Sequence, residues 1–279
     1  MPYQRLKPKR SLGQNFLIDE NIARKIIASL RLTDHDWVLE IGAGTGMLTK
    51  YLIERAGQVV AVEIDQSLID QMRQNLGSAH NLRLLQTDIL KISWDQMLEG
   101  RIGWKAVANL PYHITSPVLI KLFDHYQQFD TAILMVQKEV AQRLSAEPNS
   151  KSYGILSVFA QFYAEVQVLF DVSRHVFFPK PKVKSAVVQL KFKHDPIFDE
   201  VQEQLFRRVV RGTFNHRRKM LRNSLEAIPN LRIDINKLNF NLTRRPEQLA
   251  ISDFIDLTRL IADRLISTGL VRKSDNGTE

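Results

Sequence analysis

An α/β fold with a smaller helical domain behind it is what this sequence predicts, on three observations. Five short, apolar, β-rich runs alternate with segments of helical length over the first two thirds of the 279 residues, as in a parallel sheet buried on both faces. A glycine-rich turn, Gly42-Ala43-Gly44-Thr45-Gly46, follows the first run directly. After His194-Asp195-Pro196 the strand signals fade and helical spacing takes over.

Residues 37–41, 59–63, 82–86, 105–108 and 131–136 read as the strands of the sheet. The segment 47–55 opens off the glycine turn with Leu48, Leu52 and Ile53 at helical spacing, which predicts a helix there. Runs 165–170 and 186–192 gather β-formers on either side of the proline-rich 177–182 and predict a closing antiparallel pair. Beyond them Phe206, Val209 and Val210, then Phe254, Leu257, Thr258, Ile261 and Leu265, repeat with helical period. Ser252 is the expected cap of the last helix, with Asp253 and Asp256 in its positive first turn. The predicted domains are 1–194, carrying a basic N-terminal arm (Arg5, Lys7, Lys9, Arg10), and 195–279; residues 273–279 are expected to fray.

The chain has no cysteine, which excludes disulfides, a thiolate nucleophile and thiolate-held metals. Its seven histidines lack the paired spacing of a metal helix, so no metal is expected. No apolar run approaches the roughly 20 residues that span a bilayer, and the N-terminus carries prolines and charges instead of a secretory apolar core. A soluble, cytoplasmic protein is expected. A net charge of +9 favours an acidic partner, nucleic acid before membrane.

The glycine turn is G-x-G-x-G, whereas a dinucleotide fingerprint places its last glycine one residue later, so the spacing disfavours a pyrophosphate. Glu63 ends the next strand, 21 residues after Gly42, where a carboxylate can accept the hydroxyls of a ribose. Asp88, at the end of the third strand, can accept from the exocyclic amine of an adenine, or cap a helix that starts there. Glycine, acid and acid at three successive strand ends describe an adenosine site whose remainder is not a diphosphate. S-adenosylmethionine fits it.

Asn109-Leu110-Pro111-Tyr112 ends the fourth strand. In an open parallel sheet that position borders the ligand crevice; elsewhere the same residues would be an ordinary turn into a helix. An amide oxygen on Asn109, a Leu110 carbonyl followed by a residue without N–H, and the Tyr112 ring can grip an exocyclic amine from three directions. Holding both N6–H atoms of an adenine favours a pyramidal nitrogen with its lone pair toward an incoming methyl, and in-line methyl transfer asks mainly for alignment and desolvation. The base must be flipped or looped out to reach such a pocket.

With these residues in hand, the chain resembles the KsgA-type ribosomal RNA adenine dimethyltransferases, relatives of the Erm methylases. The matching segments are Gly13-Gln14-Asn15-Phe16-Leu17, the glycine turn, Asn109-Leu110-Pro111-Tyr112, Gln137-Lys138-Glu139-Val140-Ala141-Gln142-Arg143, Ser150-Lys151-Ser152-Tyr153-Gly154, Phe177-Phe178-Pro179-Lys180-Pro181-Lys182-Val183-Lys184-Ser185 and Phe214-Asn215-His216-Arg217-Arg218-Lys219. The resemblance implies a Rossmann-like class I S-adenosylmethionine-dependent methyltransferase domain with a smaller C-terminal helical domain. It implies that Asn15 and Leu17, from a segment folded over the cofactor, join Gly42, Glu63, Asp88 and Asn109 in binding S-adenosylmethionine. Phe177 is implied as a second aromatic face for the base, opposite Tyr112. The implied reaction is N6,N6-dimethylation of two adjacent adenosines in the hairpin loop near the 3′ end of small-subunit (16S) ribosomal RNA, on the small ribosomal subunit or its precursor; the oligomeric state stays open, with a monomer as the default.

Two acid-free stretches, 172–194 with six Lys or Arg and 204–225 with seven, suit phosphate contact. Erm enzymes acting on large-subunit RNA typically carry Ile where Leu110 stands and lack the Gln-Lys-Glu-Val-Ala run, which favours the small-subunit branch. DNA adenine methylases usually show two prolines before the Tyr, a form Leu110 breaks. A non-enzymatic S-adenosylmethionine-binding assembly or transcription factor stays open as an alternative, against which the intact Asn109, Tyr112 and Glu63 argue.

Overall fold

The computed structural model describes residues 8–77, 79–231 and 233–267. Arg5 and Lys7 of the expected arm, and the tail from 273, lie outside the described residues. The strands are β1 (Phe16–Leu17), β2 (Trp37–Ile41), β3 (Gln58–Glu63), β4 (Leu82–Gln86), β5 (Trp104–Asn109), β6 (Phe129–Gln137), β7 (Ala164–Val172), β8 (Phe177–Phe178) and β9 (Ser185–Phe192). The helices are α1 (Glu20–Ser29), α2 (Thr49–Leu52), α3 (Gln66–Leu76), α4 (Trp94–Leu98), α5 (Thr115–Asp124), α6 (Lys138–Leu144), α7 (Ile155–Tyr163), α8 (Glu200–Asn215), α9 (Leu221–Glu226) and α10 (Ile251–Ser267).

Seven strands form one sheet in the order β4-β3-β2-β5-β6-β9-β7. The five predicted strands, β2 to β6, pair in parallel, and β9 joins antiparallel between β6 and β7. Val38, Leu39, Val107, Ala108, Ile133 and Leu134 are fully or almost fully buried, which is why these strands read as near-continuous apolar runs without alternation. The order reverses between β2 and β5, so the chain leaves their carboxyl ends toward opposite flanks and opens a crevice there. A separate two-stranded ribbon joins β1 to β8, with Phe16 opposite Phe178 and Leu17 opposite Phe177.

Three local expectations are corrected. The helix predicted over 47–55 is regular only at Thr49–Leu52. Gly44 and Gly46 hold positive φ (+60° and +80°) and keep the chain in turns up to that point, although Leu48 and Leu52 are buried as their spacing required. Ser252 does not cap the last helix, because α10 already begins at Ile251. The capping is done from inside, by Asp253, whose carboxylate accepts from the Ala250 N–H at 2.8 Å.

The third correction concerns the division of the chain. It separates into Met1–Ser145 with Tyr163–His194, and Ala146–Phe162 with Asp195–Glu279. Residues 146–162, expected in the first domain, thus group with the helices beyond 195. Within that second unit Phe162 stacks on Phe206 at 4.1 Å between ring centroids, and Phe198 completes the cluster. The Tyr153 hydroxyl, fully buried, donates to the Leu249 carbonyl at 2.8 Å. Arg217 donates to the Ser150 and Lys151 carbonyls and pairs with Glu247 at 2.7 Å. Two of the motifs shared with the dimethyltransferases therefore meet each other as scaffolding. Phe206→Ala, which empties the middle of the aromatic cluster, is expected to cost about 3–5 kcal/mol in chemical denaturation.

Candidate active site

The glycine turn leaves β2 with Gly42 at φ +72°. The Gly42 and Ala43 N–H groups both donate to the Val62 carbonyl of β3, at 2.9 and 3.1 Å, which locks the turn against the neighbouring strand end. A Cβ built on Gly42 would lie 3.9 Å from the ring of Pro111, so the turn and the end of β5 are next to each other in space. Between them opens a cavity of about 260 Å³, lined by Asn15, Leu17, Gly42, Glu63, Asp88 and Asn109 among others. All six residues assigned to cofactor binding from the sequence converge on it.

Glu63 is almost fully buried. Its Oε2 accepts from the Gly44 N–H and its Oε1 from those of Ile64 and Asp65, each at 2.9 Å. A carboxylate offers about four acceptor sites, so the backbone fixes the group and leaves room for one more bond on Oε2. Asp88 does both things weighed for it: it lines the cavity, and it caps the following turn by accepting from the Leu90 N–H at 2.9 Å.

Two wall residues escaped the sequence reading. Glu40, on β2, is buried and accepts from the Thr49 hydroxyl at 2.7 Å. Burial pushes its carboxyl up to about 8, the Thr49 bond pulls it back, and the neighbouring Glu63 raises it further. An acid inside an otherwise apolar strand was the available signal. Ile64 is 43% exposed on the cavity wall; an apolar residue directly after a strand-end acid could have flagged it. Among the described residues the wall thus carries three carboxyl groups, Glu40, Glu63 and Asp88, and no lysine or arginine, in a chain of net charge +9. With Glu40 keeping its proton to about 8, the negative charge of the wall rests on Glu63 and Asp88, which disfavours a diphosphate and suits a cationic ligand.

Asn109 is the last residue of β5. Its Nδ2 donates to the Asn15 carbonyl at 3.0 Å, and because a carbonyl can only accept, the other end of the amide, Oδ1, is the end turned away from that contact. Leu110 is buried and donates its N–H to the Met135 carbonyl on β6. Tyr112 is half-buried, and its hydroxyl shares a 3.0 Å hydrogen bond with Ser185 at the start of β9. Burial pushes that phenol up, the Ser185 bond working against it. Tyr112 lies outside the lining of the cavity, with its hydroxyl turned to Ser185.

Phe177, expected as an aromatic face for the base, opens β8. Its ring is buried in the core beside Leu17 and does not line the cavity. Phe178, next to it on β8, is 37% exposed. The ribbon explains the difference in exposure, since alternation along a strand sends neighbouring side chains to opposite faces.

The model of the family described as ribosomal RNA adenine dimethylase matches residues 5–263. The chain belongs to that family. Ribosomal RNA small subunit methyltransferase A of Clostridium botulinum (strain Okra / Type B1) is 40% identical over 263 residues, covering 93% of this chain and 96% of that protein. The protein of the same name from Listeria innocua is 40% identical over 92% of each chain. Among solved structures, a dimethyladenosine transferase from Plasmodium falciparum is similar at 26% identity, with a TM-score of 0.76 over 91% of this chain and 98% of that one. The 23S rRNA methyltransferase ErmE shares the fold, with a TM-score of 0.67 at 24% identity over 88% of this chain and 99% of that one. The dimethylase sheet is accordingly that of the class I methyltransferases. Among the described residues there is no cluster of histidine or acid suited to a metal, and no helix long and apolar enough to cross a membrane.

Glu40 makes the site's pH behaviour testable. From pH about 4.5 upward the unfolded chain gives up this proton while the folded one keeps it to about 8, so stability is fully present at the acid end and falls across that window. Glu40→Gln retains an acceptor for Thr49 and is expected to flatten the fall of the melting temperature over this range, as followed by circular dichroism.

Proposed function

We propose that this chain uses S-adenosylmethionine to dimethylate N6 of two adjacent adenosines in the hairpin loop near the 3′ end of small-subunit ribosomal RNA. It does so as a monomer in the cytoplasm, during biogenesis of the small subunit. The observation that carries the reading is the meeting of two unlike features at the ends of β2 and β5: a carboxyl-rich cavity, and an Asn109 amide whose oxygen is turned away from the Asn15 carbonyl.

The residues present fit the cofactor. Glu63 offers Oε2 to the ribose, Asp88 an acceptor to the adenine amine, and Ile64 an apolar face to its ring. The open backbone at Gly42 admits close approach, while Asn15 and Leu17 form the wall that keeps water out. When bound, S-adenosylmethionine supplies an electrophilic methyl carried on a sulfonium.

On the substrate side, Asn109 Oδ1 and the Leu110 carbonyl accept the two N6–H bonds of a flipped adenine. Those bonds pull the nitrogen lone pair out of conjugation and aim it. Tyr112 stacks on the base, with its ring steadied through Ser185. The second aromatic face comes from β8: Phe177 after a side-chain movement out of the core, or Phe178, whose ring solvent already reaches. No side chain is needed as a base, because the alkylated amine loses its proton readily.

The name shared by the relatives from Clostridium botulinum and Listeria innocua supports the small subunit as substrate. So do Leu110 and the Gln-Lys-Glu-Val-Ala run at 137–141. For RNA contact, the run at 204–225 divides by structure. Arg207, Arg208 and Arg217 are tied to Glu203, to the Pro229 carbonyl and to Glu247, whereas Arg218, Lys219 and Arg222 are exposed. In the other run Lys180, Lys182 and Lys184 are exposed as well. These are the phosphate contacts we assign.

Labelled-methyl transfer to undermethylated small subunits, with naked RNA and large subunits as controls, tests the reaction. Dimethyladenosine on small subunits is the expected product; label on large subunits would indicate an Erm-like activity, and binding without label a non-enzymatic role. Asn109→Ala is expected to lower the single-turnover rate on the order of 100-fold or more while leaving RNA binding nearly intact. Replacing Arg218, Lys219 and Arg222 together by Ala is expected to weaken RNA binding and to flatten the log K against log salt slope by roughly 2–3, with cofactor affinity by calorimetry unchanged.

A further inference from the structure

Ahead of the ribbon that pairs Phe16 and Leu17 with β8, the segment from Lys9 to Asn15 is held at three places. Lys9 Nζ lies 2.8 Å from Asp65 Oδ1, Gln14 Nε2 donates to Asp65 Oδ2 at 3.2 Å, and Lys9 N–H donates to Gln14 Oε1 at 2.8 Å. Gly13, at φ +60°, packs so closely on the turn after β5 that a Cβ there would stand 2.8 Å from His113 Nδ1. Asn15 presents its carbonyl to the Asn109 amide at 3.0 Å. Only the first is ionic, and its acceptor is nearly buried while Lys9 remains half-exposed.

We infer that Asp65 is a positioning residue for methyl transfer: by clasping Lys9 and Gln14 it holds the N-terminal segment closed, and through the Asn15 carbonyl that segment sets which end of the Asn109 amide faces the base. The inference rests on the adenine N6 reading above. Clasped, the amide has one orientation, with Nδ2 on Asn15 and Oδ1 left to accept. Released, it turns over freely, and the reversed orientation points an N–H donor at an amine that is itself a donor, so the nitrogen is left with one acceptor instead of two. Asp65 is well placed for this. Its backbone N–H donates to Glu63 Oε1, so the acid assigned to the ribose and the clasp share one rigid turn. Against the upward push of burial, hydrogen bonds from Lys9, Ser67 and Gln14 hold its carboxyl down at about 2, so the clasp stays ionic at any pH the protein works in.

Asp65 also caps α3 by accepting from the Ser67 N–H at 3.1 Å, and the test must separate the two roles. Asp65→Asn keeps a good cap and removes the charge pair. Lys9→Met touches an exposed side chain outside any helix, and Lys9→Arg keeps the pair. Amide hydrogen exchange over residues 12–15 is expected to accelerate on the order of fivefold in Asp65→Asn and Lys9→Met. Single-turnover methyl transfer at saturating cofactor is expected to slow about 3- to 10-fold in both, as the competent fraction falls. The double variant should be no slower than either single one, Lys9→Arg should restore both readouts, and the melting temperature of Asp65→Asn should match the parent. Unchanged exchange would overturn the clasp. Accelerated exchange with an unchanged saturated rate would overturn its link to Asn109. If the parent protein forms no methyladenosine, the functional reading fails instead, and exchange alone still decides whether Asp65 holds the segment.

Discussion

Everything at this site depends on the pairing of β2 with β5, two parallel strands that are sequential neighbours in neither direction. Ile41 stands opposite Ala108, so the residues immediately after them, Gly42 and Asn109, are delivered side by side although they belong to different crossovers. Strand order reverses at this pair, and no helix can cover the gap from above. The crevice is therefore a product of topology, and side chains only decide what enters it. Glycine on one lip gives close backbone approach; an amide and a proline on the other give fixed hydrogen-bond polarity.

The charge of the molecule is sorted in the same economical way. Exposed basic residues suit a polyanion spread over a broad surface, where screening makes each contact weak and additive. The cavity carries carboxyl groups instead, in a confined space where a single charge counts for more. The two ligands assigned to the protein are thus separated by sign: a polyphosphate chain has no reason to enter the cofactor site, and a sulfonium has no reason to linger on the surface.

Much of this was legible in the sequence, for identifiable reasons. The five parallel strands could be read because burial on both faces leaves unbroken apolar runs, and Gly42, Glu63, Asp88 and Asn109 because strand ends are fixed points in such a sheet. The short form of α2 was not legible, since Leu48 and Leu52 satisfy helical spacing whether or not the glycines before them let the helix start. Nor was the allegiance of residues 146–162: periodicity tells that Phe159 and Phe162 are buried, never against what. Lys9 and Asp65 escaped for a related reason, because an ion pair across 56 positions leaves no trace in local pattern. Phe177 shows the opposite limit. Family likeness alone supplied its role, since a buried phenylalanine carries no local sign of a partner base.

The ribbon of β1 and β8 also sets an order of events during synthesis. Phe16 and Leu17 find their strand partners only in Phe177 and Phe178, so while the chain is being made the N-terminal wall of the cofactor site has no partner strand until most of the sheet has been translated. A nascent chain that already contains β2 to β6 has the crevice and the Asp65 clasp, but not the ribbon that completes the cover. The enclosure is completed late in the protein's own production, when β8 arrives, and a fragment ending before residue 177 would own the glycine turn, both strand-end acids and the Asp65 clasp yet lack the ribbon.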